Sequence, residues 1–125
     1  MFNRTREAQT ETLEITVDQG ADGIWVRLRG RLNIDSSPDF RDRLLAILRA
    51  QPPGIVTVDM TDVSYIDASG IATLIEGLRI AHNRGLTLGL NGLQDRLVNL
   101  FKVSGVLALF EKSGCLTAST AAKVI

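Results

Sequence analysis

The residues of this chain that could do chemistry are concentrated in one stretch, 56–78, VTVDMTDVSYIDASGIATLIEGL. There a strand-like run ends in acidic residues, and a polar turn carries Ser69 and Gly70 to the start of an apolar-striped helix. A hydroxyl in that place stands at the positive end of a helix, where unpaired backbone N–H groups and the helix dipole favour negative charge, so it is suited to carrying or binding a phosphate. Asp59, Asp62 and Asp67 share the end of the same strand. Open α/β sheets place ligands at the carboxyl ends of strands, so three carboxylates there raise a magnesium site or an aspartyl nucleophile. The stretch lacks the lysine and glycine-rich cradle of such phosphate chemistry, however, and aspartates also cap turns and helix starts. Asp67 as the N-cap of the helix is the simpler assignment.

Other reaction classes find no support. Ser69 has no G-x-S-x-G elbow, and the single histidine, His82, falls about three turns further along the same helix, too far to take its proton. His82 reads as a residue bordering the helix stripe. The one cysteine, Cys115, cannot form an internal disulfide, and with one histidine it makes no zinc set; it reads as a small apolar residue. Gly85, Gly89 and Gly92 are spread along a strand rather than gathered in G-x-G-x-x-G, and no G-x-x-x-x-G-K-[ST] occurs. Neither a cofactor nor a metal is called for. Fourteen basic and fourteen acidic residues cancel to zero formal charge, and the basic ones are scattered with few aromatics between them. The chain is therefore not expected to bind nucleic acid, and recognition must be local.

The elements that must position this stretch can be read from hydrophobic periodicity. At 125 residues, 45% hydrophobic and 22% charged, the chain is the size of one compact domain. Residues 1–10 read as a polar tail and 11–125 as a single domain. No apolar run approaches the ~20 residues that cross a bilayer, and the N-terminus lacks a signal core, so direct membrane insertion is not expected and a cytoplasmic location is. Residues 13–17 and 24–28 alternate around a glycine-bearing turn at 20–23, an opening hairpin whose second strand ends at Gly30. Ser36-Ser37-Pro38 signals a helix start with Ser37 as N-cap, and Phe40, Leu44, Ile47 and Leu48 give that helix, about 38–50, its stripe. Pro52, Pro53 and Gly54 stop it.

Residues 55–60, rich in β-branched side chains, predict the middle strand. Past Asp67, the residues Ile71, Leu74, Ile75, Leu78 and His82 share a helix face, closed by Gly85 after the C-cap. A strand at 86–90 comes next, then a helix with the stripe Leu93, Leu97, Leu100 and Phe101 ending at Ser104-Gly105, an apolar segment at 106–110, and a last short helix in the alanine-rich tail. Strand and helix alternate, which calls for right-handed crossovers between mostly parallel strands, an α/β fold with helices packed against a small mixed sheet.

The strand–turn–helix VTVDMTDVSYIDASGIATL, with GRLNIDSSPDFRDRLLAIL upstream and RGLTLGLNGLQDRLVNLFKVSGVLALFE downstream, resembles the STAS family of anti-sigma factor antagonists and sulfate-transporter tails over roughly residues 11–123. The most specific element is an acidic residue on the central strand, an apolar spacer, then I-D-x-S-G before the helix. The resemblance implies a STAS fold and a binding module, not an enzyme. Its strand–helix loop, here Asp67, Ala68, Ser69 and Gly70 with Thr73 on the following helix, would dock on an anti-sigma factor or related serine kinase. In switching members, phosphorylation of a loop serine directly after the aspartate abolishes that binding. This chain has Ala68 there and Ser69 next, which makes Ser69 the phosphorylation candidate and leaves a constitutive binder open. The alternative the family offers is a STAS accessory subunit of a membrane ABC lipid transporter, docking on its ATPase. Homodimerisation is compatible with the sequence and not specified by it. The hydroxyls of Thr61 and Ser64 read as local turn hydrogen-bonding groups.

Overall fold

Two parallel strand pairs and one hairpin make the sheet. In the computed structural model, which describes residues 13–105, the elements are β1 (Glu14–Gly20), β2 (Gly23–Leu32), α1 (Ser37–Arg49), β3 (Ile55–Ile66), α2 (Ala68–Asn83), β4 (Thr87–Asn91) and α3 (Asp95–Ser104). β1 and β2 pair antiparallel from Glu14 opposite Arg29 to Gly20 opposite Gly23, which is the expected hairpin. β2 pairs with β3, and β3 with β4, in parallel, giving the order β1-β2-β3-β4. Parallel neighbours cannot be joined by a tight turn, so α1 and α2 are the crossovers. Residues 1–10, the segment 106–110, Cys115 and the alanine-rich tail lie outside the described residues.

The core fills the space between the sheet and the helices. Val26, Leu28, Leu32, Val56, Val58, Met60, Leu88 and Leu90 from the strands meet Phe40, Leu44, Leu48, Leu74 and Phe101 from the helices, all at 0–1% exposure. The expected α1 stripe is present with Ile47 only partly buried, and Leu45, at 3% exposure, joins it. On α2, Ile71, Leu74 and Leu78 are buried and Ile75 partly so, whereas His82 is exposed. Gly85 closes α2 with φ +70°, while the N–H of Leu86 reaches the Ala81 carbonyl at 2.8 Å and that of Gly85 the His82 carbonyl at 3.1 Å, a Schellman motif. In the last helix Val98 takes the buried place expected of Leu100, because α3 starts only at Asp95 and Leu93, itself buried, precedes it. No helix among the described residues is long and apolar enough to cross a membrane.

Around the site three boundaries differ from those the sequence pattern predicts, the two strand ends for a tertiary reason. β2 runs on past Gly30 to Leu32, and β3 runs past Met60 to Ile66, because Arg29, Gly30, Arg31 and Leu32 find partners in Asp62, Val63, Tyr65 and Ile66. That outer half of β3 extends beyond β4, and its exposed carbonyls are met by side chains instead. Gln94 Nε2 donates to the carbonyls of Thr61 at 2.8 Å and Val63 at 3.2 Å, and Arg96 Nη2 donates to that of Ser64. The third difference is the start of α1. Ser37 is its first helical residue and not its cap, and Ser36, in the cap position, makes no side-chain cap bond. Its hydroxyl instead closes the loop after β2, donating to the Arg31 carbonyl at 2.7 Å and accepting from the Asn33 N–H at 3.0 Å.

The hairpin turn meets the beginning of β3 at Gly23, which has φ +138°; a Cβ there would sit 2.1 Å from the Ile55 carbonyl oxygen. Both the dihedral and the backbone clash exclude a side chain, and neither can relax independently. Gly23→Ala is expected to lower unfolding free energy by about 2–4 kcal/mol, read as a shift of the urea midpoint at unchanged m-value. A midpoint within experimental scatter of the parent would contradict this account of the β1–β2–β3 junction.

Candidate functional site

Asp67 organises the stretch singled out by the sequence. Its extended backbone, φ −117° and ψ −172°, turns the chain from β3 into α2, and its carboxylate caps the helix. Oδ1 accepts from the N–H of Ser69 at 3.0 Å, the N–H of Gly70 at 3.3 Å and the Ser69 hydroxyl at 2.5 Å. Oδ2 accepts from the N–H of Ile34 at 3.2 Å, and the Asp67 N–H donates to the Leu32 carbonyl at 3.2 Å. One residue thus binds the end of β2 and the loop after it to the first turn of α2. Burial pushes the Asp67 carboxyl up, but the Ser69 hydroxyl and the N–H groups of Gly70, Ser69 and Ile34 outweigh it and hold it below its usual range.

The positive end of α2 is consequently not an open anion seat, as its sequence suggested. Asp67 already takes the N–H groups of Ser69 and Gly70, and its own carbonyl accepts the N–H of Ile71 at 3.0 Å. Gly70 is buried, with a Cβ there falling 2.7 Å from Ile66 Cγ1 and 2.8 Å from Leu32 Cγ, so the missing side chain lets the first turn settle onto the ends of β2 and β3. Ala68 is exposed, Ser69 half-buried and Thr73 buried, the last donating its hydroxyl to the Ser69 carbonyl at 3.0 Å.

Ser69 faces a residue to which the sequence pattern gave another role. Ser37 Oγ lies 3.1 Å from Ser69 Oγ. Since Ser69 has one hydroxyl proton and gives it to an acceptor-only carboxylate, Ser37 is the donor to Ser69, and a chain of hydrogen bonds runs from Ser37 through Ser69 to Asp67. Beside this chain opens a cleft of about 370 Å³ between the N-terminal halves of α1 and α2. α1 contributes Ser37, Arg41 and Asp42 to its lining, α2 contributes Ser69, Thr73 and Glu76, and the exposed Ile34 stands at the loop between β2 and α1. Arg41 bridges the helices with a two-pronged contact to Glu76, Nε to Oε1 at 2.7 Å and Nη2 to Oε2 at 2.8 Å. The hydrogen bond from Arg41 holds the Glu76 carboxyl below its usual range, against partial burial and with Coulombic help from Arg41 and Arg49.

Ser37, Arg41, Glu76 and Ile34 had no functional signal in the sequence. Arg41 and Glu76 are 35 positions apart on polar helix faces, and no local spacing pairs them. The other candidates do not assemble. Asp59 is a brace: its Oδ1 accepts from the Thr61 N–H at 3.1 Å, the Thr61 hydroxyl at 2.6 Å and the Asn91 amide at 3.4 Å, with Arg27 at 3.6 Å from Oδ2. Among the described residues no three His, Cys, Asp or Glu side chains are placed to hold a metal ion. Thr61 bonds locally as expected, whereas Ser64 donates across the sheet to the Gly30 carbonyl at 3.2 Å.

Known proteins share this sequence pattern and this architecture. The family model described as "Mlab, STAS domain" matches residues 15–111. The anti-sigma-B factor antagonist of Bacillus subtilis (strain 168) is 26% identical over 101 residues, covering 81% of this chain and 91% of that protein. Among solved structures, an anti-sigma factor antagonist from Mycobacterium paratuberculosis superposes with a TM-score of 0.69 at 15% identity, over 91% of this chain and 92% of the other. The phosphorylated form of the Bacillus cell fate determinant SpoIIAA superposes at 0.64 with 13% identity, over 83% and 89%. At these identities the superpositions establish the fold, a four-stranded mixed sheet with helices against it.

The Asp67 geometry fixes a pH dependence. Its native pKa lies below its ordinary value, so the unfolded chain binds more protons through the acid range and the contribution to stability is present above the ordinary carboxylate pKa and lost as pH falls. Asp67→Ala is expected to cost about 1–2 kcal/mol near neutrality, as loss of an N-cap does. The stability gap between wild type and Asp67→Asn should be constant near neutrality and narrow as pH falls below about 5, through and under the ordinary carboxylate range, in parallel denaturation series; a gap independent of pH would show that the carboxylate charge contributes nothing.

Proposed function

The chain belongs to the STAS domain family, and we propose that within it this protein is an anti-sigma factor antagonist-like binding module whose docking face is the α1–α2 cleft together with the Asp67, Ala68, Ser69 and Gly70 turn. The observation that carries this reading is the placement of Ser69: a half-buried hydroxyl fixed by Asp67 and Ser37 at the edge of a cleft that two helices line. A partner seated there covers Ser69, and a phosphate on it brings about two negative charges into the contact. Relatives named as anti-sigma-B factor antagonists, matched over most of their length, support this role over that of an accessory subunit of an ABC lipid transporter.

The partner is an anti-sigma factor of the serine-kinase type. Ile34, exposed at 71%, is the apolar knob beside the turn, and Ala68 offers a surface that a partner approaches closely. Gly70 and Thr73 act from beneath: the first lets α2 start against the sheet, and the second holds the Ser69 carbonyl. Ala68 has no hydroxyl to modify, so the control point moves one residue on, to Ser69. The module binds and is modified; it does not itself catalyse.

Purified anti-sigma kinases encoded by the same genome test this directly. One of them should bind the wild-type protein and Ser69→Ala comparably, bind Ser69→Asp at least about tenfold more weakly because a charge is carried into the interface, and with ATP add one phosphate that Ser69→Ala abolishes. Equal affinity for Ser69→Asp would move the interface elsewhere, and labelling that survives Ser69→Ala would reject Ser69 as the acceptor. Capture of a transporter ATPase in place of a kinase would favour the accessory-subunit role.

A further inference from the structure

We propose that Arg41 is the receiving group for a phosphate on Ser69, leaving Glu76 for the phosphoryl oxygens and so unfastening the bridge between α1 and α2. This rests on the reading of Ser69 as the modified residue. In that modification Ser69 Oγ attacks the γ-phosphorus of a nucleoside triphosphate. The new O–P bond forms as the bond to the nucleoside diphosphate breaks, and the hydroxyl proton leaves to the kinase's base or to solvent.

The existing hydrogen bonds constrain where the phosphate can go. An ester oxygen has no proton to donate, so the 2.5 Å bond from Ser69 to Asp67 is lost and a dianion is left against an ionised carboxylate. Asp67 cannot turn away, because the N–H groups of Ser69, Gly70 and Ile34 still hold both of its oxygens. The phosphate must therefore rotate outward, toward the cleft. Ser37 remains able to donate to it across the 3.1 Å gap.

Among the described residues lining the cleft, Arg41 supplies the single cationic side chain, with Asp42 and Glu76 as the anions there and Asp67 beside them at the turn. The register brings it within reach: Ser37 faces Ser69, and Arg41 is one turn further along α1 on a long flexible stem that now leans away toward Glu76. Its contact with Glu76 is two-pronged but half-exposed, with side chains 46% and 37% accessible, and exposed ion pairs are weak. A phosphate dianion offers the same fork geometry with more charge and stronger acceptors. Glu76, once released, is repelled by the phosphate and retains the field of Arg49. The exchange shifts the tie between α1 and α2 to the N-terminal end of the cleft, where the phosphate with its bound guanidinium fills the entrance.

Phosphoserine inserted at position 69 during synthesis makes the test independent of any kinase. The second phosphate ionisation, near about pH 6 in a free phosphoserine, is followed by phosphorus NMR. In the wild-type background it should lie lower; Arg41→Gln should raise it by about half a unit or more, Arg41→Lys should restore part of the shift, and Glu76→Gln, which removes the competing negative charge, should lower it further. Matching amide spectra of the unphosphorylated variants confirm that each is folded. A titration that Arg41→Gln leaves unmoved overturns the proposal, as does one that Glu76→Gln raises. A kinase that never labels Ser69 would defeat the functional reading while leaving this measurement interpretable, so the two failures are distinct.

Discussion

One carboxylate holds together the corner of this fold that carries the candidate site. Asp67 receives backbone donors from two segments that are distant in sequence, the loop after β2 and the first turn of α2, while its own N–H returns a bond to the end of β2. A helix start needs an acceptor for its orphan N–H groups, and a loop that leaves a sheet needs its amides satisfied. Here the same side chain does both. The residue is ionised because those donors outweigh the cost of its partial burial, so its charge and its architectural role are the same fact.

The position of the cleft is a consequence of topology. Helices that connect parallel strands begin at the same edge of the sheet, the one where the strands end, so α1 after β2 and α2 after β3 present neighbouring N-terminal halves. Ser37 and Ser69, 32 residues apart, meet for that reason. Close approach of the helices depends on a small residue as well: a Cβ at Gly77 would lie 2.6 Å from Leu44 Cδ2. The Arg41–Glu76 pair ties the two helices across the cleft. That pair is solvent-accessible, which makes it a weak fastener and a replaceable one.

The protruding half of β3 shows how the fold manages an unpaired strand edge close to this site. β4 is five residues long and pairs only as far as Asp59, yet β3 continues to Ile66 to deliver the chain to Asp67. Gln94 and Arg96 lay polar side chains along the carbonyls that β4 does not reach, which satisfies them and denies them to another chain. Asp59 braces the same region through Thr61 and Asn91, a structural use of a carboxylate whose position had suggested chemistry.

Local pattern determined a great deal of this protein. The hairpin, the helical stripes of Phe40, Leu44 and Leu48 and of Ile71, Leu74 and Leu78, the Gly85 cap, and Asp67 as N-cap all depend on interactions within a few residues, so spacing and side-chain type were enough to read them. The I-D-x-S-G turn, part of the docking face we propose, stood out for the same reason. Tertiary structure alone decided the lengths of β2 and β3, which are set by pairing with each other, and the true role of Ser37, which the serine–serine–proline signal placed one residue too far along as a cap. It also decided that Arg41 and Glu76 face each other across a cleft. Those facts rest on contacts between residues far apart in the chain, Arg41 and Glu76 by 35 positions, which only the crossover geometry of the parallel sheet brings together.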